Sequence, residues 1–140
     1  MFIKQVSVFI ENRAGRLADL LDILAKNKVN LIALSLADTA EYGMMRMVVS
    51  NPELAIQALK AEGMSAMLTD VICIRVDHAA GSLNQAIKNI ITQVGIEYMY
   101  AFSTGNQALN VIKFSEPEKA AELIKQHNID IWNTGDIQSL

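Results

Sequence analysis

The chain has 140 residues, 51% of them hydrophobic, and a formal net charge of −3 from 12 basic and 15 acidic side chains. An acidic chain with scattered basic residues has no electrostatic footprint for nucleic acid or an anionic membrane surface, and neither partner is expected. The single cysteine, Cys73, excludes an intrachain disulfide and a four-thiolate metal site.

Met1-Phe2-Ile3-Lys4-Gln5 lacks the apolar core and small-residue cleavage site of a signal peptide, and no apolar run reaches membrane-spanning length. A soluble, cytoplasmic protein is the expectation. The sequence also repeats. Glu11-Asn12-Arg13-Ala14-Gly15-Arg16-Leu17 returns as Asp77-His78-Ala79-Ala80-Gly81-Ser82-Leu83, and Ser50-Asn51-Pro52-Glu53 returns as Ser115-Glu116-Pro117-Glu118. The offset of about 66 residues is too long for a solenoid unit and points to two copies of one small domain, 1–70 and 71–140. Domains of this size are marginal alone, so further packing or pairing is expected.

From Lys4 to Glu11, Val6, Val8 and Ile10 alternate with Gln5, Ser7 and Phe9, the period of a strand with one apolar face. Ile72, Ile74 and Val76 repeat it. From Gly15 to about Asn27 the period changes: Leu17, Leu20, Leu21 and Leu24 share one helix face. Leu83, Ile87, Ile90, Ile91 and Val94 form its counterpart. One added residue here raises the offset to 67, aligning Val29-Asn30-Leu31 with Ile96-Glu97-Tyr98 at the start of second strands. Thr39-Ala40-Glu41 and Ser103-Thr104-Gly105-Asn106 are turns, leading to third strands over 42–49 and 108–114. Each closely joined pair should form an antiparallel hairpin.

Pro52 and Pro117 open second helices, where a missing N–H costs nothing. Gly63 and Asn128 end them, the two residue types that best tolerate a left-handed C-terminus. Short fourth strands follow over 66–69 and 129–132, the first running almost directly into the next copy at Asp70-Val71. Each copy reads βαββαβ. The expected fold is α+β: two ferredoxin-like units, each an antiparallel sheet with helices on one face.

The repeated loop joins a strand to a helix N-terminus through Gly15 or Gly81. Free N–H groups and the helix dipole favour an anion there, and glycine allows close approach. The plainer reading is that the glycines only turn the chain. Asn12 and Asn30 likewise have local roles open to them, as a cap and a turn residue. Cys73, inside Val71-Ile72-Cys73-Ile74, reads as a packed residue. Met44, Met45 and Met47 read mainly as strand packing, and Trp132 as packed at the end of the last strand.

The βαββαβ order, the Glu-Asn-x-x-Gly-x-Leu loop and the later Val-Asn-Leu resemble the ACT domain, the amino-acid-binding regulatory module of many biosynthetic enzymes. The resemblance covers almost the whole chain, twice. It implies a small amino acid bound where domains pair, held in the first copy by Asn12, Arg13, Ala14, Gly15, Arg16 and Leu17 with Asn30 and Leu31. In the second copy it implies His78, Ala80, Gly81, Ser82 and Leu83. Ala14 and Ala80 stand where the family usually has proline, Lys28 where it has glycine, and His78 and Glu97 where it has asparagine.

A stand-alone tandem ACT protein would have no catalytic residues, cofactor or metal, and would act on a partner enzyme of amino-acid metabolism. The loop resembles that of acetolactate synthase regulatory subunits but is too short to identify a target. Uncovered sheet edges favour a homodimer. A competing reading is a small ferredoxin-like enzyme using His78 or Glu97 as base, although no convergent polar set accompanies them. RNA-binding domains share the element order but need central-strand aromatics; here Phe9 is answered by Arg75.

Overall fold

The computed structural model describes residues 1–38 and 41–140, with the side chain of Asp38 also outside the description. Its elements are β1 (Ile3–Glu11), α1 (Arg16–Lys26), β2 (Leu31–Asp38), β3 (Tyr42–Val49), α2 (Pro52–Ala61) and β4 (Ser65–Asp77). There follow α3 (Ser82–Ile91), β5 (Ile96–Thr104), β6 (Gln107–Phe114), α4 (Pro117–Gln126), β7 (Ile131–Trp132) and α5 (Thr134–Gln138). Of the expected turn at 39–41, Thr39 and Ala40 lie outside the described residues.

Two compact units result. One contains Lys4–Thr69 and Gln138–Leu140, the other Asp70–Ile137 and Met1–Ile3. The two expected strands around Asp70 are one continuous 13-residue strand, β4, whose first part closes one βαββαβ unit and whose second part opens the next. The first unit has strand order β2-β3-β1-β4. The second has β5-β6-β4, with β7 also paired to β4. This is the ferredoxin-like α+β architecture.

The alternation in β1 does what its period requires. Val6 and Val8 are fully buried and Ile10 nearly so, in a core with Leu20 and Leu24 of α1, Met45 and Met47 of β3, and Ala55 and Leu59 of α2. The second core sets Ile72, Ile74 and Val76 against Ile87, Ile90, Ile112, Phe114, Leu123 and Ile124. Each large apolar side chain so placed contributes about 1.5–3 kcal/mol relative to exposure. Leu21 and Ile91, expected on these helix faces, are instead exposed. Each follows a fully buried residue, Leu20 or Ile90, and the 100° turn between neighbours carries it off the core-facing stripe.

Two further features depart from simple alternation. Gln5 and Ser7, the polar side of β1, are buried too. They are satisfied by a chain of bonds: Gln5 Nε2 donates to Ser7 Oγ at 3.0 Å, and Ser7 Oγ meets Thr69 Oγ1 at 2.9 Å. The short α5 lies beyond the expected βαββαβ order. Its start is a reciprocal cap, Asn133 N–H donating to Asp136 Oδ2 at 2.9 Å and Asp136 N–H to Asn133 Oδ1 at 3.1 Å.

The second helices end alike. Gly63 has φ +79° and Asn128 φ +51°. The N–H groups of Met64 and Ile129 reach back to the carbonyls of Leu59 and Ile124 at 3.0 and 3.1 Å, and those of Gly63 and Asn128 to Lys60 and Lys125. Both are Schellman closures. Space beside Gly63 is open, so its glycine is required by the dihedral alone. Gly63→Ala should therefore destabilise the protein by about 1–2 kcal/mol, and Gly63→Asn, which copies the other unit, by less. Thermal unfolding of both variants checks the order.

Burial, with a smaller contribution from the Asp136 charge, pushes the Cys73 thiol up to about 12. The folded thiol stays neutral where an unfolded one, with an ordinary value of 9.0, ionises. The group's stabilising contribution is whole below pH 9.0 and is lost as pH rises toward about 12. Labelling of Cys73 by a thiol reagent at pH 8–9 should follow global unfolding in denaturant; fast labelling of the native protein would contradict the burial.

Candidate ligand-binding site

Both strand-to-helix loops are built by the same backbone bonds. Asn12 N–H donates to Glu41 O at 2.9 Å, Arg13 N–H to Glu11 O at 2.9 Å, Arg16 N–H to Arg13 O at 3.3 Å and Asp19 N–H to Gly15 O at 2.9 Å. In the second unit His78 donates to Asn106, Ala79 to Asp77, Ser82 to Ala79 and Gln85 to Gly81, at 2.8–3.2 Å. Four equivalent bonds fix the structural offset at 66 through this segment.

Gly15 (φ +92°) and Gly81 (φ +83°) are the N-caps of α1 and α3, each left-handed and with no side-chain capping bond. By contrast Asn51 caps α2, its Oδ1 accepting from Leu54 N–H at 3.1 Å. A Cβ at Gly15 or Gly81 would meet nothing within 4 Å. The glycines therefore answer a backbone requirement, and the helix ends they start are open to solvent. Asn12, Arg13, Ala14 and Gly15 are exposed, as are His78, Ala80 and Gly81; Leu17, Ser82 and Leu83 are half-buried.

The charged residues of the first loop are already engaged. Arg13 Nε donates to Glu11 Oε2 at 2.8 Å, and this bond, more than the accompanying charge, holds the Glu11 carboxyl below its ordinary value. Arg16 Nη1 reaches Asp19 Oδ2 at 3.3 Å, while Arg16 Nε is buried without a partner among the described residues. Asn30 is exposed, and its backbone clasps Ser50: N–H to Ser50 Oγ at 2.8 Å, and O from Ser50 N–H at 2.9 Å. Half-buried Leu31 follows it into β2.

That clasp corrects the repeat alignment. In the second unit Ser115 N–H and Oγ both donate to Gly95 O, at 2.9 and 3.1 Å, so Gly95 is the counterpart of Asn30. The β-ladders agree, pairing Leu31 with Val49 and Ile96 with Phe114. The offset falls to 65 rather than rising to 67. The cause is a lost residue: α1 closes through Lys28 at φ +57°, whereas Val94 N–H returns directly to Ile90 O and α3 has no such residue. Glu97 thus does not stand at Asn30's position. It is an exposed residue at a register shift in β5, and His78 is an exposed loop residue.

Each unit also has a cleft that the sequence did not reveal. In the first, Arg16, Asp19, Ile23, Lys26, Glu62 and Met64 help line about 240 Å³. In the second, Arg75, Asp77, Ser82, Gln85, Asn89, His127 and Asp130 help line about 430 Å³. These are equivalent places, with Ser82 at the position of Arg16 and His127 at that of Glu62. Helical spacing of Ser82, Gln85 and Asn89 was the available signal, but nothing local places His127 or Asp130 beside them. No group of three or more metal-ligating side chains occurs among the described residues, and no helix there is long and apolar enough to cross a membrane.

Comparison with known proteins places this geometry. The ACT domain pair, as a sequence family, matches residues 1–140. No curated protein matches the sequence. A crystal structure of a protein from Bacteroides thetaiotaomicron is 37% identical, with a TM-score of 0.93 over 100% of this chain and 98% of that one. The ligand-free regulatory subunit of aspartate kinase from Thermus thermophilus gives a TM-score of 0.59 at 20% identity, covering 89% of this chain and 91% of that one. The aspartate kinase regulatory subunit from Thermus flavus gives 0.58 at 19%, covering 89% and 92%. At these identities the kinase subunits share the fold. The whole-chain family match and the twice-built βαββαβ unit lead to one conclusion: this chain belongs to the ACT domain pair family.

Proposed function

We propose that this ACT domain pair is a regulatory protein that binds a small amino acid at the first-copy loop and relays its occupancy to a partner enzyme of amino-acid metabolism. The observation that carries the reading is the start of α1: a left-handed glycine, no capping side chain, and open space beside it. Unpaired N–H groups at such a helix end suit a carboxylate. Asn12 and Asn30, both exposed, would supply polar contacts, with Leu17 and Leu31 beside them. The second loop has the same backbone but carries His78 for Asn12 and Gly95 for Asn30, so it offers a ligand fewer side-chain partners.

Regulation requires that the ligand bind one conformation or assembly better than another, and the partner must then change the affinity for the ligand by the same factor as the ligand changes the affinity for the partner. A homodimer is part of the proposal. β2 is an edge strand with Leu34 and Leu36 exposed, an arrangement that invites pairing with a second copy. The chain should sediment as a dimer, and Leu34→Lys with Leu36→Lys should shift it to monomer. A monomer at tens of micromolar, taken as a rough working range, would remove this element.

A stabilising L-amino acid should raise the unfolding free energy by about 2.7 kcal/mol at a hundredfold excess over Kd. Gly15→Ala and Gly15→Asp then separate backbone strain from charge, since both must adopt the left-handed dihedral and only the acid adds a negative group. Calorimetric titration should show Gly15→Asp losing about tenfold or more in affinity, an effect of about 1.4 kcal/mol, with Gly15→Ala closer to the parent and Gly81→Asp changed less. If all twenty amino acids leave the melting temperature and Trp132 emission unchanged, the sensor reading fails.

A further inference from the structure

The two units have diverged most informatively in their paired clefts. In the first, Arg16 is part of the lining: its side chain is 20% exposed, its Nη1 contacts Asp19, and its Nε is buried. The remaining space is about 240 Å³. In the second, Ser82 replaces that arginine and about 430 Å³ stands open. Small-molecule sites fall at roughly 300–1,000 Å³; the second cleft lies within that range and the first below it.

The walls changed character as well. Along α3 the cleft presents Ser82, Gln85 and Asn89, where the first unit has Arg16, Asp19 and Ile23. None of these three polar side chains makes a hydrogen bond among the described residues. Each carries both a donor and an acceptor. The same cleft is lined by an exposed ion pair, Arg75 with Asp130, whose backbones are joined by Arg75 N–H donating to Asp130 O at 2.9 Å. Asp77 adds a second carboxylate. The equivalent residues in the first unit, Phe9 and Ser65, could form no such pair.

We infer that the cleft of the second unit is a binding site for an amino acid with a primary-amide side chain, separate from the first-copy loop. Arg75 takes the ligand carboxylate, and Asp77 and Asp130 take its ammonium. The ligand's amide pairs with Gln85 and Asn89, since two amides can each donate and accept. An aliphatic side chain would leave those amides unpaired against it, which is the basis of discrimination. The site does not depend on the loop assignment, because its specificity elements lie along α3 and at the α4–β7 connection.

The experiment uses the full chain carrying Gly15→Asp, so that the first-copy loop does not contribute. Glutamine, asparagine and leucine are titrated by heteronuclear NMR and calorimetry. The expected result is saturable binding of glutamine or asparagine, at least tenfold tighter than leucine, with amide shifts clustered at residues 82–89 and 127–130. Ser82→Arg, which installs the arginine found in the first unit, should abolish it. Asn89→Ile, which installs the first unit's isoleucine, should weaken it at least tenfold and narrow the preference over leucine. Absence of saturable binding at millimolar ligand, or binding that both variants leave intact, would overturn the site. A ligand lost only on Gly15→Asp in the otherwise unchanged chain would uphold the loop reading while removing this one.

Discussion

The strand-to-helix reversal at Gly15 and Gly81 is the constraint on which each unit depends. β1 and the second part of β4 must hand the chain to a helix that folds back over the same sheet. A left-handed residue makes that turn in one step, and α1 and α3 then present Leu20 and Leu24, or Ile87 and Ile90, to the sheet. The same dihedral leaves the helix N-terminus without a side-chain cap. The chain reversal and the uncapped helix end thus rest on one residue, and neither can be altered without touching the other.

The period of the sequence was enough for most of the fold. β3 spans the residues expected, the two prolines open their helices, and Gly63 and Asn128 take the left-handed dihedral that their chemistry suggests. Periodicity does not decide the width of a helix face, so Leu21 and Ile91 read as inward and lie outward. It also could not see what buries Gln5 and Ser7, because alternation reports on one face only. The missed α5 was readable: Asn133-Thr134-Gly135-Asp136 has the spacing of a reciprocal cap, although its helix is only five residues long.

The offset of 65 after the first helices is also written in the sequence. Ser50 and Ser115, Pro52 and Pro117, and Gly63 and Asn128 all lie 65 apart. A single loss after α3 reaches that offset directly, whereas a gain to 67 must be undone twice over. Hydrogen bonds at Ser50 and Ser115 resolve it physically, since each serine clasps the residue that opens the neighbouring strand. Glycine at position 95 even lets the Ser115 hydroxyl occupy the space a Cβ would need, 3.0 Å away. The loop residues could be named from the sequence, but the clefts could not, for their two walls come from segments about forty residues apart.

The hydrogen-bonded chain Gln5–Ser7–Thr69 has a consequence for uniqueness rather than strength. Hydrocarbon contacts tolerate sliding, because one branched side chain greets another almost equally well at the next position. A hydroxyl meeting a hydroxyl at 2.9 Å does not. Displacing either strand by one residue would turn Ser7 toward the apolar core and strand Thr69 without its partner, since neighbouring residues face opposite ways. Three polar atoms, two on buried side chains and one on a half-buried side chain, thereby act as a key that admits one alignment of the strands. Such a key matters most in a duplicated chain, where each half contains a near copy of the strand the other must recognise.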